Sequence, residues 1–224
     1  MAAAGASGCE EPSWQLGEDA TLTATIDDWN PTSAYHLEVG VARSRADGGS
    51  ADFFKLTTAE IGPDGTFHVA LPGAAAIAPH LEAWDPSVLD PSKESKNEIQ
   101  IHGSANTPGV RSATLSFKIT DGSGYQYLSS QSMILHGDGR VWGISFLWVD
   151  REVQISGSKE GSLVSPTSRS SWKTTYDLRL SPGWNRTMMD TTLETRDGQR
   201  FSNTLFHTTN EIPAAVRWTY VHGD

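Results

Sequence analysis

Cysteine is nearly missing from this chain: Cys9 is the only one in 224 residues. A lone thiol excludes an intramolecular disulfide, a cysteine-based zinc site and a CxxC redox pair. No histidine lies near Cys9 in sequence to activate it as a nucleophile. Long apolar runs are missing too, since nothing approaches the roughly 18 to 20 residues that cross a bilayer as a helix. Basic residues are the third shortage, with 17 Lys and Arg against 27 Asp and Glu and a formal charge of −10. That balance repels nucleic acid and anionic lipid headgroups. Arg43 with Arg45, and Arg169 with Lys173, are isolated pairs that do not offset it. Nucleic acid is therefore not an expected partner.

Motifs with a catalytic mechanism are equally scarce. The seven histidines (36, 68, 80, 102, 136, 207 and 222) form no HxH, HxxxH or HExxH pair, the spacings that bring two imidazoles to one metal. His36 and His68 fall in strand patterns opposite the apolar residues, where solvent-facing histidines are the rule. His207 and His222 follow strand ends and could meet in space, which makes them the candidate metal ligands. Asp27, Asp28, Asp64, Asp121, Asp138 and Asp197 lie in turn sequence without a DxDxDG loop, so they read as turn formers rather than calcium ligands. Gly122-Ser123-Gly124 and Gly157-Ser158 lack the strand-turn-helix setting of a nucleophile elbow. Glu38, Glu60, Asp150 and Glu152 cannot be ranked as glycosidase carboxylates, because that pairing is defined by distance in space. No phosphate-cradling glycine loop and no dinucleotide fingerprint is present. The expectation is a chain with no catalytic residue set and no cofactor.

What is abundant is turn and strand chemistry. There are 21 glycines and 11 prolines, with 37% hydrophobic and 20% charged residues, a turn-rich globular profile. Period-2 alternation marks residues 20–26, Leu37 to Val41, 53–61 and 66–71, the last two joined by Gly62-Pro63-Asp64-Gly65. Gly73 to Leu81 is alanine-rich and can form a short helical turn that Pro79 ends. Residues 85–110 carry Pro86, Pro91 and Pro108 and read as a connector, with Ile99 to His102 its one strand-like piece. Alternation returns at Arg111 and, Gly157 to Thr174 apart, continues to Val221, with Asp197-Gly198 a strong hairpin signal. Gly157 to Thr174 is rich in Ser, Lys and Thr without apolar periodicity and reads as a mobile loop, the first candidate for a recognition loop.

The predicted class is all-β, with two antiparallel modules. Residues 1–17 form a signal remnant and tether, and 18–84 a small immunoglobulin-like sandwich. The 85–110 connector leads to a larger sandwich or open barrel over 111–224. Eight tryptophans are the clearest excess. Trp142, Trp148 and Trp218 sit in alternating strands and are expected in the core. Trp29 and Trp172 fall in turn or loop sequence, where a large rigid ring can stack on a sugar or anchor an interface, so they are the candidate ligand contacts.

The N-terminus carries the compartment signal. Ala2 to Gly8 are small residues leading into Cys9, followed by Glu10, Glu11 and Pro12. That arrangement resembles the end of a bacterial lipoprotein signal, in which the cysteine becomes the lipidated first residue. Further along, Leu147-Trp148-Val149-Asp150-Arg151-Glu152-Val153-Gln154-Ile155-Ser156-Gly157-Ser158 and Tyr176-Asp177-Leu178-Arg179-Leu180-Ser181-Pro182-Gly183-Trp184-Asn185 are similar to segments of deinococcal cell-envelope lipoproteins of unassigned function. The Asp64-Gly65-Thr66-Phe67 to Leu71-Pro72 hairpin is similar to theirs as well. The resemblance implies compartment and fold, and it transfers no functional residue.

The leading expectation is a non-enzymatic lipoprotein of the cell envelope, extracytoplasmic and attached to the membrane by a lipid on Cys9. It would bind, or structurally support, another envelope protein or glycan. The alternative is a carbohydrate-binding or carbohydrate-acting protein using Trp29 and Trp172. A metal-dependent hydrolase using His207 and His222 is the third reading.

Overall fold

The computed structural model of the protein describes residues 14–30, 34–43, 52–83, 100–105, 109–122, 124–129, 131–134, 139–164, 169–210, 212 and 216–221. Cys9 and His222 lie outside the described residues. The chain forms β1 (Gln15–Gly17), β2 (Thr21–Thr25), β3 (His36–Arg43), β4 (Asp52–Glu60) and β5 (Thr66–Ala70). A short helix α1 (Ala74–Ile77) runs into a 3-10 turn (Ala78–His80) that contains Pro79, followed by β6 (Glu82–Ala83) and β7 (Gln100–Ala105). Then come β8 (Arg111–Thr120), β9 (Tyr125–Ser129), β10 (Gln131–Ile134), β11 (Arg140–Val149) and β12 (Val153–Val164). The last strands are β13 (Arg169–Leu180), β14 (Gly183–Arg196), β15 (Gln199–Thr208) and β16 (Thr219–Val221).

The protein is all-β, as its alternation predicts. Among the described residues one 14-stranded sheet has the central order β16-β9-β8-β11-β14-β15-β13-β12-β7, with β1, β3, β4, β6 and β10 pairing off this path, and β2 with β5 forms a separate pair. Alternation works here because successive side chains point to opposite faces of a strand. In β3, Leu37, Val39 and Val41 are buried while His36 is exposed, and in β5 Phe67 and Val69 are buried while His68 is exposed. The main core joins these residues to Leu115, Phe117 and Ile119 of β8, Ile144, Phe146 and Trp148 of β11, and Trp184 and Met188 of β14. Trp218 packs against it, partly buried and edge-on to Phe67 at 5.6 Å and to Phe117 at 5.2 Å. Trp184 is 1% exposed and donates its indole N–H to the Pro72 carbonyl at 2.8 Å, which meets the rule that a buried polar group finds a partner.

The expected division into two modules is not seen. β3, before the expected connector, pairs along its length with β8 after it, β6 also pairs β8, and β1 pairs β14. The main core likewise mixes residues from both sides of the expected boundary. The physical reason is size: about 65 residues bury too small a fraction of their surface to be comfortably stable, and sharing one core removes more apolar area from water. The connector itself supplies β7, which pairs β12.

Three local expectations also need correction. Gly62 to Gly65 makes a tight turn, with Gly65 N–H donating to the Gly62 carbonyl at 2.9 Å. Only Ile61 and Phe67 bridge across it, however, before β5 leaves to pair β2. The sheet is mixed rather than antiparallel, because β15 inserts between β14 and β13 and so runs parallel to β13. Residues 157–164 and 169–174 are not a loop but the outer halves of β12 and β13, paired from Val153 with Leu180 to Val164 with Arg169. Ser, Thr and Gly there hide the strand because little of that stretch meets an apolar core.

The hairpin between β14 and β15 forms where its sequence predicts. Asp197 and Gly198 adopt φ of 51° and 74°, the pair of left-handed conformations that a two-residue turn between twisted strands requires.

Candidate functional site

A second, smaller core sets the shape of the face that matters. Leu147 and Val149 of β11 pack with Val153 and Ile155 of β12 and with Leu178 and Leu180 of β13. In the sheet order β14, β15 and β13 separate β11 from β12, but β15 ends at Thr208, opposite Thr187, and at the level of this core β11 and β12 are joined by residues 150–152 without pairing to each other. Contact between them means that the sheet is rolled over this face, with the small core as the floor of the concavity.

Asn185 fixes the crease. It is fully buried, accepts the Ser181 backbone N–H at 3.0 Å, and donates to the carbonyls of Ser181 at 2.7 Å and Gly183 at 2.9 Å. It thereby ties the turn between β13 and β14, where the two strands meet without β15 between them.

Strand register and alternation place successive rows across the rolled face. Nearest the floor, Met189, Phe206, Tyr176 and Gly157 lie side by side on β14, β15, β13 and β12. The next row is Thr191, Thr204, Thr174 and Lys159, and the one beyond is Leu193, Ser202, Trp172 and Gly161. Contacts confirm the shared face. Tyr176 and Phe206 stack at 5.5 Å with an 8° interplanar angle, the Thr191 and Thr204 hydroxyls are 2.9 Å apart, and the Lys159 ammonium is 5.9 Å from the Tyr176 ring centre. Burial pushes the Tyr176 phenol above its ordinary pKa, as a low-dielectric floor should.

Trp172 is the feature that stands out. A Cβ built on Gly161 would lie 2.7 Å from Trp172 Cζ2 and 2.9 Å from Cε2, so the indole lies across the bare backbone of its cross-strand partner. Glycine is what this close approach requires. The ring is half-buried, held by the sheet on one side. Trp172 and Tyr176 share a face four residues apart, roughly 13 Å along the strand, with Thr174 between them. Rings interleaved with hydroxyls suit a ligand that presents C–H faces and O–H edges together.

The opposite side of the same strands is chemically different. Arg140 clamps Asp190 through two nitrogens at 2.9 and 2.6 Å, and its guanidinium lies 4.9 Å from the Trp142 ring centre. Hydrogen bonding to Arg140 holds the Asp190 carboxyl below its usual range. Glu160, Lys173, Asp177 and Glu194 alternate onto this side as well.

The other residues singled out by sequence are placed differently. Trp29 is half-buried against the main core, edge-on to Tyr35 at 5.6 Å and closely packed on Gly65. It is remote in role from Trp172, and the structure does not bring the two into one site. Trp148 is buried, whereas Trp142 and Trp218 are partly buried against the same core. His207 sits in β15 with its Nδ1 at 3.2 Å from the Thr208 carbonyl oxygen, beside Met188 and Asp177 in the neighbouring strands. Among the described residues no group of three or more His, Cys, Asp or Glu side chains could hold a metal ion. Sequence reasoning missed Tyr176, Phe206, Lys159 and the threonine row; glycines in β12 opposite aromatics in β13 were the signal that could have found them. The chain matches no family model, no curated protein and no solved structure.

Proposed function

We propose that the chain is a non-enzymatic lipoprotein of the cell envelope, anchored through Cys9, and that the envelope component it binds is a glycan. The observation that carries this reading is the indole of Trp172 lying across Gly161 on a face that also bears Tyr176 and Phe206 among Thr and Ser hydroxyls. A sugar ring stacks its C–H face on an aromatic plane while its hydroxyls need donors and acceptors beside that plane, and this face offers both. A rigid indole contributes large contact area at little entropic cost. The lipoprotein part rests on the small residues leading into Cys9 and on the resemblance described above.

Titration of the full chain with polysaccharide extracted from the host envelope tests the binding part. Trp172→Ala is expected to weaken binding by roughly ten- to a hundredfold, the loss typical of an anchoring aromatic, with the melting temperature lowered only about 2–4 °C. Binding that survives Trp172→Ala unchanged would remove this face from the reading. Mass spectrometry of the N-terminal peptide from native membranes tests the anchor: an acylated Cys9 is expected, and an unmodified Cys9 would contradict it.

A further inference from the structure

We infer that the glycan accepted by the rolled face is acidic, carrying carboxylates on its sugars; this rests on the glycan reading above and narrows it. The whole chain carries −10, so a random face should be rich in carboxylates. The rolled face is not. On β12, β13, β14 and β15, the described side chains that register and alternation assign to it include two charged residues, Lys159 and Arg200, and both are cationic. The carboxylates of these strands, Glu160, Asp177, Asp190 and Glu194, alternate onto the other side.

The positions of the cations fit a bound chain. Lys159 ends the threonine row, between the rows of Tyr176 and Trp172, with its ammonium 5.9 Å from the Tyr176 ring centre. Arg200 is exposed on β15, one row beyond Ser202 and beside Ser170 of β13. A sugar stacked on Trp172 therefore has a cation in the row on either side. Ammonium and guanidinium groups form their strongest hydrogen bonds with carboxylates. A net-negative protein that clears carboxylates from one face, and leaves cations there, is complementary to an anionic partner on that face. Duplex nucleic acid would also be anionic, but two cations on a concave face give too few phosphate contacts to overcome the repulsion from the rest of the chain.

The test uses the full chain and a panel of uronic-acid and muramic-acid oligosaccharides, each beside its carboxyl-methylated, neutral form. Affinities are measured by calorimetry at two salt concentrations. The acidic form is expected to bind about tenfold tighter than its neutral twin, with the preference shrinking as salt is added. In Lys159→Gln/Arg200→Gln the acidic-to-neutral ratio is expected to fall to within about twofold, with the melting temperature checked to show that the variant is folded. Equal binding of both forms, with Trp172 still required, would overturn the acidic preference and leave the glycan reading standing. A preference that persists in the double variant would overturn the assignment to these residues. Binding of neither form would overturn both readings.

Discussion

Replacing Asn185 by Asp changes one side-chain amide into a carboxyl of nearly the same shape, at the crease that gives the rolled face its form. The side chain is fully buried, so the new group cannot turn to water. Its Oδ1 can still accept the Ser181 N–H, but the second oxygen would face the carbonyls of Ser181 and Gly183, which now accept from Nδ2 at 2.7 and 2.9 Å. Each buried acceptor left without a donor costs about 1–3 kcal/mol, so the ionised variant should lose roughly 3 kcal/mol. At this chain length that corresponds to a melting temperature about 6–12 °C lower at pH 7. Burial and facing carbonyls raise the variant's folded carboxyl pKa above the unfolded value of about 3.9. The folded variant then binds more protons than the unfolded one, so its deficit is smallest below about pH 4 and grows as pH rises through the folded pKa. Thermal melts of variant and parent at matched pH from 3 to 8 read this directly. A variant as stable as its parent at pH 7, or a deficit that shrinks as pH rises, would refute the role given to Asn185.

Other perturbations separate the core, the polar side and the ring platform. Trp184→Phe leaves the buried Pro72 carbonyl without its 2.8 Å donor and should cost about 2–4 kcal/mol, seen as a lower denaturant midpoint with an unchanged slope. Asp190→Asn removes a carboxylate whose pKa Arg140 depresses; since Arg140 is 54% exposed, the loss should be about 1 kcal/mol. That loss is present above about pH 4 and vanishes as acid protonates the parent's carboxyl through its lowered pKa, which matched-pH melts will check. Gly161→Ala should change stability by less than about 1 kcal/mol, because an extra Cβ suits a strand. The indole must nevertheless lift from its seat, so glycan affinity should fall although Trp172 is still present.

How legible the fold was depends on what each strand faces. β3, β5 and β8 were readable because Leu37, Val39 and Val41, Phe67 and Val69, and Leu115, Phe117 and Ile119 recur at every second position over one core, with polar residues or glycine between them. Pairing between those strands was not readable, since alternation says which face is buried and nothing about the neighbour. That is why β3 and β8 were assigned to separate modules. The parallel pair of β13 and β15 was hidden for the same reason. The outer halves of β12 and β13 escaped notice because their rolled face carries Gly157, Lys159, Gly161, Trp172 and Thr174 in place of a run of apolar residues. Trp172 was singled out as a loop residue and is instead a strand residue, fixed in orientation by the glycine across from it. Tyr176 and Phe206 fall within the alternating stretch after Arg111, and only the register that pairs them on the face of Trp172 gives them a role.

The most direct test of the rolled face as the binding surface is a fluorine NMR titration of protein labelled with fluorotryptophan. The eight tryptophans would be assigned by single substitution, and the labelled chain titrated with envelope polysaccharide. Because Trp172 lies across Gly161 on that face while Trp184 and Trp148 are buried in the main core, the Trp172 resonance should move with ligand concentration and those of Trp148 and Trp184 should stay. A titration in which Trp172 does not respond, or in which Trp29 responds in its place, would contradict the assignment of this face.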